Sequence, residues 1–479
     1  MTMKFETDNN TWAERVFGDC QLGDERRLRR LVELAALHAG DPEASTAAMC
    51  GGDSAAKEGA YRFLRNDRFE TADIDEGAYQ AAAEAAQVLP LVLAIQDTTG
   101  VSFTHATAQV LAENGCPTGF LAHTTLLVDP AHKVPIGVVD QDRWLRQPKA
   151  KRAGKAARKE KAYEDKESHR WEEACDRVRG RLGTMANVIT VCDREADIFE
   201  FLHYQVERQQ RFVVRACSDR ALVTAEEQHL WAAVEARPVL GTRMVAVEQR
   251  GGQRGSVSQS ERLPRRAREA LVELHAAQVV LKPPAGKAAD YTPIAVNAVL
   301  VREAHAPEGV EAIEWMLLTT EPVTTEKQVA QVIHCYECRW TIEEYFKAWK
   351  SGCRIEKRPM MSVDTLERMV AITAHVAVRI LQLHALANRA DDSTPCERVL
   401  PTDELHCLWA CTSYGKPLPA QVPTVRWAYQ TIGRMGGWLD TKRTGRIGWQ
   451  TLWEGWDKLQ QRLAGWRAAK EMMAAGEKM

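Results

Sequence analysis

The stretch that decides the fold is LPLVLAIQD, residues 89–97. It is a continuous apolar run that ends in an acid, a pattern typical of a buried strand in an α/β domain. A second run of this kind is MANVITVCD, residues 185–193. Ligand sites in α/β domains lie at the carboxyl ends of central strands. Asp97 and Asp193 are therefore candidate site residues.

Further strands are predicted on both sides of these runs. Residues 123–144 are predicted to form a hairpin, because two apolar segments are joined by the turn sequence Asp-Pro-Ala-His at residues 129–132. The segment QRFVVRACSD, residues 210–219, is another strand. Several β-type runs follow between about residues 220 and 320, which predicts a β-rich insertion in an α/β domain.

A polar stripe is predicted after this insertion, in YECRWTIEEYFKAWK, residues 336–350. Four of its side chains have the spacing Y-x2-R-x3-E-x6-K: Tyr336, Arg339, Glu343 and Lys350. If the stretch is one helix, at about 100° per residue these positions fall within about 60° of one another. Lys347 joins the same face, so one carboxylate is surrounded by a phenol and several cations.

These residue types favour phosphoryl-transfer chemistry. Asp97, Asp193 and Glu343 supply the oxygen ligands that hard divalent cations prefer, and two such ions can clamp the attacking and leaving oxygens. Arg339 and Lys350 can neutralise phosphates. A single acid at a strand end would mean little by itself. The chain has no G-x-S-x-G, H-E-x-x-H or G-x-x-x-x-G-K-[ST] motif, so a nucleotide cofactor is not expected.

The bulk composition excludes some classes of protein and leaves others open. The chain has 479 residues, a net charge of −2 and 12 cysteines, which is ordinary for a globular protein of several domains. We expect neither a signal peptide nor a membrane span, and we expect reduced cytosolic thiols. The Cys335-x2-Cys338 pair lacks a second close pair, so a zinc site is not favoured.

Basic clusters near the N-terminus allow two interpretations. Residues 24–40 are predicted to form a helix capped by Asp24, with arginines at positions 26, 27, 29 and 30. A second basic piece is YRFLRN, residues 61–66. Taken alone, the arginines favour a solvated amphipathic helix, whereas a basic module before a catalytic core favours phosphate contact. The basic run at residues 144–161 is equally consistent with a solvated loop and with DNA backbone contact.

Taken together, the motifs resemble those of DDE transposases of the insertion-sequence-four family. The spacing of Tyr336, Arg339, Glu343 and Lys350 is similar to that family's signature. The segment DREAD at 193–197 resembles its second catalytic acid, and DTT at 97–99 resembles its first. Further similar segments occur in order along nearly the whole chain: EGAYRFLRN at 58–66, RFVVR at 211–215, ERMV at 367–370, KRTG at 442–445 and LWEGW at 452–456.

The resemblance implies a three-part organisation. Residues 1–72 would form a helical DNA-binding domain. Residues 73–387 would form an RNase H-like catalytic domain of the α/β class, with the β-strand insertion at about 220–320. Residues 388–479 would form a helical domain that joins two protomers. In that last region Leu452, Trp456, Leu459 and Leu463 recur at helical spacing and suit a stripe between protomers.

The resemblance also implies roles for individual residues. Asp97, Asp193 and Glu343 would hold two Mg²⁺ ions, for which Mn²⁺ can substitute, and Tyr336, Arg339 and Lys350 would grip phosphates. Trp315 would stack on a flipped base, although a tryptophan beside a β-type run is by itself more often a core residue. The remaining expected DNA contacts are Arg26, Arg27, Arg30, Tyr61, Arg62, Arg65, Arg215 and Lys347.

The function implied is cut-and-paste DNA transposition. Such an enzyme binds transposon ends, cleaves both strands through a hairpin intermediate, and joins the ends to target DNA. It works as a homodimer in a synaptic complex, in the bacterial cytoplasm at the nucleoid. Two alternatives remain open: an RNase H-like nuclease that cuts branched DNA, and a DNA-binding regulator whose core is catalytically idle.

Overall fold

A computed structural model describes residues 9–103, 119–145, 162–224, 228–247, 267–358, 362–389, 395–398, 400–413, 416–439, 441 and 447–476. The N-terminal part contains helices α1 (Asn9–Phe17), α2 (Glu25–Gly40), α3 (Thr46–Met49), α4 (Ser54–Leu64) and α5 (Thr71–Gln87). As predicted, Asp24 caps α2, and its side chain accepts a hydrogen bond from the Arg26 backbone N–H at 2.8 Å. The basic stretch at 146–161 lies outside the described residues.

Strands and helices then alternate in the order β1 (Val92–Ser102), β2 (Gly119–Asp129), β3 (Val134–Trp144), α6 (Arg170–Leu182), β4 (Val188–Cys192), α7 (Phe199–Glu207) and β5 (Arg211–Arg215). They are followed by α8 (Leu230–Glu235), β6 (Gly241–Val247), β7 (Arg268–Leu281), β8 (Ile294–Arg302) and β9 (Glu314–Thr319). The predicted hairpin is confirmed, because β2 pairs with β3 in antiparallel fashion. The predicted α/β class is also confirmed.

These strands form a nine-stranded sheet of order β3-β2-β1-β4-β5-β9-β8-β7-β6. Strand β1 pairs in parallel with β4, and β4 pairs in parallel with β5. Strand β9 pairs with β5 in antiparallel fashion. The predicted β-rich segment therefore extends the central sheet through β9.

The central strands are covered on both faces, as the continuous apolar runs predict. Leu93 and Ile95 of β1 belong to the same buried cluster as Ile342 of a helix described below. The alternate residues Val92 and Ala94 point the other way and belong to a second cluster, which also contains residues of α6. Because side chains alternate along a strand, β1 contributes to both sides of the core.

The N-terminal helices share their core with the sheet. Trp12, Phe17 and Leu31 lie in the same buried cluster as the sheet residues Leu93 and Ile95. The organising element is α11 (Val363–Arg389), a helix of 27 residues that contacts α2, α4, α5 and β3. The helical N-terminal part is thus packed directly on the region that carries the candidate site.

Two buried arginines fasten this packing. Arg368 of α11 is 5% exposed and donates hydrogen bonds to the carbonyls of Leu64 at 2.6 Å and Phe69 at 3.1 Å. Arg358 is 4% exposed and donates to the carbonyls of Cys353, Ala44 and Pro42. Each guanidinium is buried and depends on these carbonyls for its hydrogen bonds, which makes the bonds costly to remove.

The predicted single helix over residues 336–350 is wrong. Helix α9 (Glu326–Glu337) ends before Arg339, and α10 (Trp340–Lys347) follows. At the junction the hydrogen bonds tighten to a three-residue spacing, as in Arg339 N–H to the Tyr336 carbonyl at 3.0 Å. A π-helical turn, Ala348–Gly352, then widens the chain, and the Cys353 N–H donates to the Ala348 carbonyl at 2.9 Å.

The C-terminal part has a core of its own, formed by α12 (Thr402–Ser413), α13 (Val425–Met435) and α14 (Trp449–Gly476). The predicted protomer stripe is wrong in its residues. Leu452, Leu459 and Leu463 are 8%, 0% and 1% exposed and pack within the chain, with Trp456 beside them. Their helical spacing reflects packing of α14 on α12 and α13. Among the described helices, none is long and apolar enough to cross a membrane.

Replacing Arg368 with Met tests how the N-terminal helices are held. The variant keeps an apolar side chain in the buried position but removes the guanidinium, which lies over the Phe69 ring, and leaves two carbonyls without their donor. We expect the free energy of unfolding to fall by about 3 kcal/mol. Urea unfolding followed by circular dichroism measures the change. Arg29→Met, at an exposed position of α2, is the matched control and should be nearly neutral; equal effects of both variants would contradict the role of Arg368.

Candidate active site

Two carboxylates lie where the parallel pairing of β1 with β4 ends. Asp193 follows the last residue of β4, as predicted, but the prediction that β1 ends at Asp97 is wrong, because β1 continues to Ser102 in antiparallel pairing with β2. Gln96 of β1 and Cys192 of β4 are partners in the strand register, so the next residues, Asp97 and Asp193, occupy equivalent positions. Asp193 begins a short 3₁₀ turn, and its carboxylate accepts a hydrogen bond from the Glu195 backbone N–H at 2.8 Å. The strand pairing thus places both predicted acids at one edge, where ligand sites form in such sheets.

The carboxyl of Asp97 is strongly perturbed by its surroundings. Burial raises the pKa of this carboxyl to about 7, the negative charge of Asp193 adds to the rise, and Arg339 opposes it. The Thr98 backbone N–H donates to one Asp97 oxygen at 2.7 Å and also favours the ionised form. A buried carboxylate beside a second one is the environment that a bound cation relieves.

Arg339 connects Asp97 with the predicted third acid. Its guanidinium lies 3.3 Å from an Asp97 carboxylate oxygen and also donates to the Glu343 carboxylate, one helical turn further on. The Arg339 side chain is 12% exposed, whereas that of Glu343 is 31% exposed. The tightened junction before α10 thus brings the predicted cation between two of the predicted acids.

Lys350 reaches the same strand from the π-helical turn. Its ammonium donates to the Thr99 hydroxyl at 2.6 Å, two residues beyond Asp97 on β1. Burial lowers the pKa of Lys350, while Glu356 and Asp97 oppose that shift. Two cations, Arg339 and Lys350, therefore contact β1 on the face that carries Asp97 and Thr99.

Tyr336 and Lys347, the other two residues of the predicted stripe, contact aromatic rings. Tyr336 is 7% exposed, and its ring packs edge-on against Trp315 with centroids 5.4 Å apart. Trp315 lies on β9 and is half-buried. Lys347 is exposed, and its ammonium lies 5.0 Å from the centroid of the Trp340 ring, on the same helix. Arg215 ends β5 and donates to the Glu314 carbonyl at 2.9 Å.

The three predicted acids are of the chemical type that binds a divalent metal ion. Asp97, Asp193 and Glu343 offer carboxylate oxygens, the ligands that Mg²⁺ and Mn²⁺ prefer. Within the described part of the chain, however, no three His, Cys, Asp or Glu side chains converge closely enough to hold a metal ion. Arg339 lies between Asp97 and Glu343 and forms an ion pair with each of them.

Several predicted DNA contacts surround one open cavity of about 390 Å³ in the N-terminal part. It is lined by Arg27, Glu58, Arg62, Arg65, Asn66, Asp67 and Arg68. The Arg62 side chain is 77% exposed, and its guanidinium is only loosely paired with Glu58 at 3.9 Å. The guanidinium of Arg65 lies 5.5 Å from the Tyr61 ring centroid. Four arginines around one cavity form a surface suited to phosphate groups.

The two other predicted arginines of α2 lie outside this cavity lining. Arg26 is 86% exposed at the start of the helix. Arg30 pairs with Glu33 at 2.8 Å, and its guanidinium crosses over Gly59 of α4. A Cβ at position 59 would lie 2.9 Å from the Arg30 Cζ, so glycine permits this crossing.

Sequence reasoning missed two features of the site region. Arg68 lines the cavity, and the available signal was its position two residues after the basic piece YRFLRN, residues 61–66. The second is the buried pair of Asp197 and Arg220. The Asp197 carboxylate accepts hydrogen bonds from the backbone N–H groups of Cys217 and Ser218 at 2.7 and 2.8 Å, and from Arg220. This pair ties the loop after β5 to the loop that carries Asp193.

The Cys335-x2-Cys338 pair is buried in the helical region of Arg339. Cys338 Sγ lies 4.0 Å from His334 Nε2, whose ring also bonds to the Pro130 carbonyl at 2.8 Å. The cysteines of the described residues are free thiols.

Two family models match this chain. The family described as Transposase DNA-binding matches residues 9–69, which include the arginine-lined cavity. The family described as Transposase DDE domain matches residues 160–379, which include Asp193, Arg339 and Glu343. Asp97 lies outside both ranges.

Among solved structures, the chain is similar to a piggyBac transposase, in a cryo-EM structure of its synaptic complex with hairpin DNA. The sequence identity is 10%, with 81% of this chain and 77% of that chain covered, and the TM-score is 0.37. The family assignment therefore rests on the two family matches alone. Those matches, one to a transposase DNA-binding domain and one to a DDE domain, place this protein among the DDE transposases.

Proposed function

We propose that this DDE transposase is a cut-and-paste enzyme that binds transposon ends, cleaves both strands through a hairpin intermediate and joins the ends to target DNA. The observation that carries the proposal is the position of Asp97 and Asp193 side by side where the parallel pairing of β1 with β4 ends, with Glu343 linked to Asp97 through Arg339. The ordered motifs support placing it in the insertion-sequence-four family, closest to the transposase of transposon Tn-five.

The proposed catalytic core is RNase H-like. The strand order β3-β2-β1-β4-β5 supports it, with β1, β4 and β5 parallel and β2 antiparallel to both of its neighbours, β1 and β3. Strands β6 to β9 would then be the insertion before the last acid. That insertion carries Trp315, which we propose stacks on a base displaced from the duplex.

In this proposal Asp97, Asp193 and Glu343 hold two Mg²⁺ ions, and Mn²⁺ can replace them. When bound, such ions activate the attacking oxygen and stabilise the leaving oxygen of a phosphoryl transfer. The raised pKa of Asp97 supports this assignment, because two neighbouring carboxylates need positive charge to stay ionised together. A divalent ion on Asp97 and Glu343 would compete with Arg339 for the same oxygens.

Arg339 and Lys350 would bind the phosphates on either side of the cut. Arg339 offers a planar fork of donors that fits a phosphate as well as it fits a carboxylate. It can therefore exchange its contacts with Asp97 and Glu343 for contacts with DNA. Lys350 is held by Thr99, two residues after Asp97 on β1, and supplies a second positive charge there. Tyr336 would add a hydroxyl, and its ring is oriented by Trp315.

End recognition is proposed for the arginine-lined cavity, with Arg26, Arg30 and Tyr61 on the adjacent surface. The synaptic complex is proposed to contain two copies of the chain and two DNA ends. An assay for strand joining separates this proposal from the nuclease alternative, since a nuclease would cut without inserting the ends into a target. A catalytically idle regulator would bind the ends and neither cut nor join them.

Glu343→Gln tests the active-site assignment. The substitution keeps the shape of the side chain but removes its negative charge. That charge pairs with Arg339 and would hold the metal ion. We expect divalent-metal-dependent cleavage of DNA carrying the flanking inverted repeat to fall by more than about a hundredfold, beyond the usual effect of losing a supporting partner. End binding, measured by gel shift, should be unchanged.

The neighbouring Glu344→Gln is the matched control, because it changes the same charge on the same helix one residue away. It should cleave like the unaltered protein. Removal of divalent metal with EDTA should stop cleavage by the unaltered protein and leave end binding intact. Cleavage retained by Glu343→Gln would remove Glu343 from the site.

Arg62→Ala tests the arginine-lined cavity. The side chain is largely exposed and weakly paired, so its removal should take away one phosphate-binding group without unfolding the helix. We expect weaker end binding and a salt dependence, log K against log salt, that is flatter by about 0.9 for each phosphate that the variant no longer binds. Arg68→Ala should behave similarly, whereas Arg208→Ala, an exposed arginine after α7, should bind normally. Unchanged affinity and slope in Arg62→Ala would place DNA elsewhere.

A further inference from the structure

The face of β1 opposite the catalytic acids carries a chain of buried polar side chains. Asp97 and Thr99 contact Arg339 and Lys350 on one face, so Gln96 and Thr98 point to the other. There they meet His123 of β2, which is the register partner of Thr98 and is 0% exposed. Nearer the start of β1, this same face is apolar, with Val92 and Ala94.

His123 bonds to residues on both sides of Asp97. Its Nδ1 lies 2.9 Å from the Thr98 hydroxyl, and its Nε2 lies 3.3 Å from the Gln96 side-chain oxygen. The ring packs edge-on against Trp171 of α6, with centroids 4.6 Å apart. One buried side chain thus bonds to the side chains of both residues that flank the first acid.

The hydrogen-bond directions follow from the neighbours. Burial lowers the pKa of His123 to about 3, so the ring is neutral and has one donor and one acceptor. The Gln96 amide nitrogen donates to Cys175 Sγ at 3.2 Å, which leaves its oxygen to accept from His123 Nε2–H. His123 Nδ1 then accepts from the Thr98 hydroxyl. Cys175 of α6 also accepts a hydrogen bond from the side-chain amide of Gln205 of α7 at 3.3 Å. This series of hydrogen bonds therefore runs from β1 to α6 and α7.

Thr98 transmits this arrangement to the site. Its side chain is held by His123, while its backbone N–H donates to the Asp97 carboxylate at 2.7 Å. Buried polar side chains cost stability compared with well-packed apolar ones, and they are usually kept where they define a geometry. These polar residues lie in the middle of β1, on either side of Asp97, where such a geometry is needed.

We propose that His123 is a positioning residue for DNA cleavage: it holds Gln96 and Thr98 from the far face of the sheet and so fixes the Asp97 carboxylate in the active site. The proposal rests on the proposed function, because it concerns the chemistry of Asp97. Small displacements of a metal ligand or its supporting residues reduce activity by factors of about ten to a hundred. His123 touches neither Asp97 nor, in the proposal, DNA.

The test compares His123→Phe with Thr98→Val and with the double variant. Phenylalanine keeps a ring against Trp171 but removes both hydrogen bonds, and valine removes only the Thr98 hydroxyl. We expect each single variant to lower the single-turnover cleavage rate at saturating end DNA by about tenfold to a hundredfold, with end affinity unchanged. The Mg²⁺ concentration for half-maximal rate should rise. The double variant should be no slower than the slower single variant, because both changes break one chain of hydrogen bonds.

His203→Phe is the matched control. His203 is also buried, and it bonds to a threonine hydroxyl, Thr292 at 3.3 Å, but it lies on α7 in contact with Phe199 and Tyr291. It should leave the rate and the metal dependence unchanged. Should His123→Phe be unfolded, Thr98→Val decides on the same measurements.

The outcomes separate the two proposals. If the unaltered protein fails to cleave end DNA, the proposed function fails and the role of His123 falls with it. If it cleaves, and His123→Phe and Thr98→Val cleave at its rate and Mg²⁺ dependence, the positioning role is overturned while the function stands. Rates that fall only as much as the folded fraction falls, or that add independently in the double variant, also overturn it.

Discussion

The parallel pairing of β1 with β4 is the constraint on which the rest of the site depends. It places Gln96 opposite Cys192, and so brings Asp97 and Asp193 to one edge of the sheet. The charge that this creates is compensated by Arg339, which enters from the tightened junction between α9 and α10 and also holds Glu343. The far face of β1 is held by His123. Side chains on both faces of β1 thus contact Asp97 or the residues that flank it.

The same strand connects the site to the remainder of the chain. Leu93 and Ile95 share a cluster with residues of α10, α11 and the N-terminal helices. Arg358 and Arg368 add hydrogen bonds between this N-terminal part and the region after the last acid. DNA bound at the arginine-lined cavity would therefore contact a surface packed directly on the catalytic region.

Sequence patterns predicted the parts of this structure that depend on local chemistry. Apolar runs ending in acids identified β1 and β4, although β1 continues past Asp97 to Ser102, and the turn sequence at 129–132 identified the β2–β3 hairpin. The spacing of Arg339 and Glu343 correctly put them within contact. The π-helical turn around Lys350 could not be predicted, because its five-residue hydrogen bond has no distinctive local sequence marker.

Contacts between residues far apart in the sequence also could not be predicted. Helical spacing cannot tell an intrachain core from a contact between protomers, and Leu459 and Leu463 turned out to lie in the core of the C-terminal part. Asp197 and Arg220 lie 23 residues apart, and His123 and Gln96 lie 27 apart, so no local pattern joins them. Arg339 between two of the predicted metal ligands was likewise visible only in three dimensions.

The central claim is that Asp97, Asp193 and Glu343 place a divalent metal ion on the phosphate that is cut. The most direct measurement uses end DNA in which sulphur replaces each non-bridging oxygen of that phosphate in turn. Mg²⁺ binds sulphur poorly and Mn²⁺ tolerates it better, because Mg²⁺ is the harder cation. We predict that one of the two sulphur isomers is cleaved slowly with Mg²⁺ and regains its rate with Mn²⁺. Equal rates with both metals for both isomers, relative to unmodified DNA, would contradict direct metal contact.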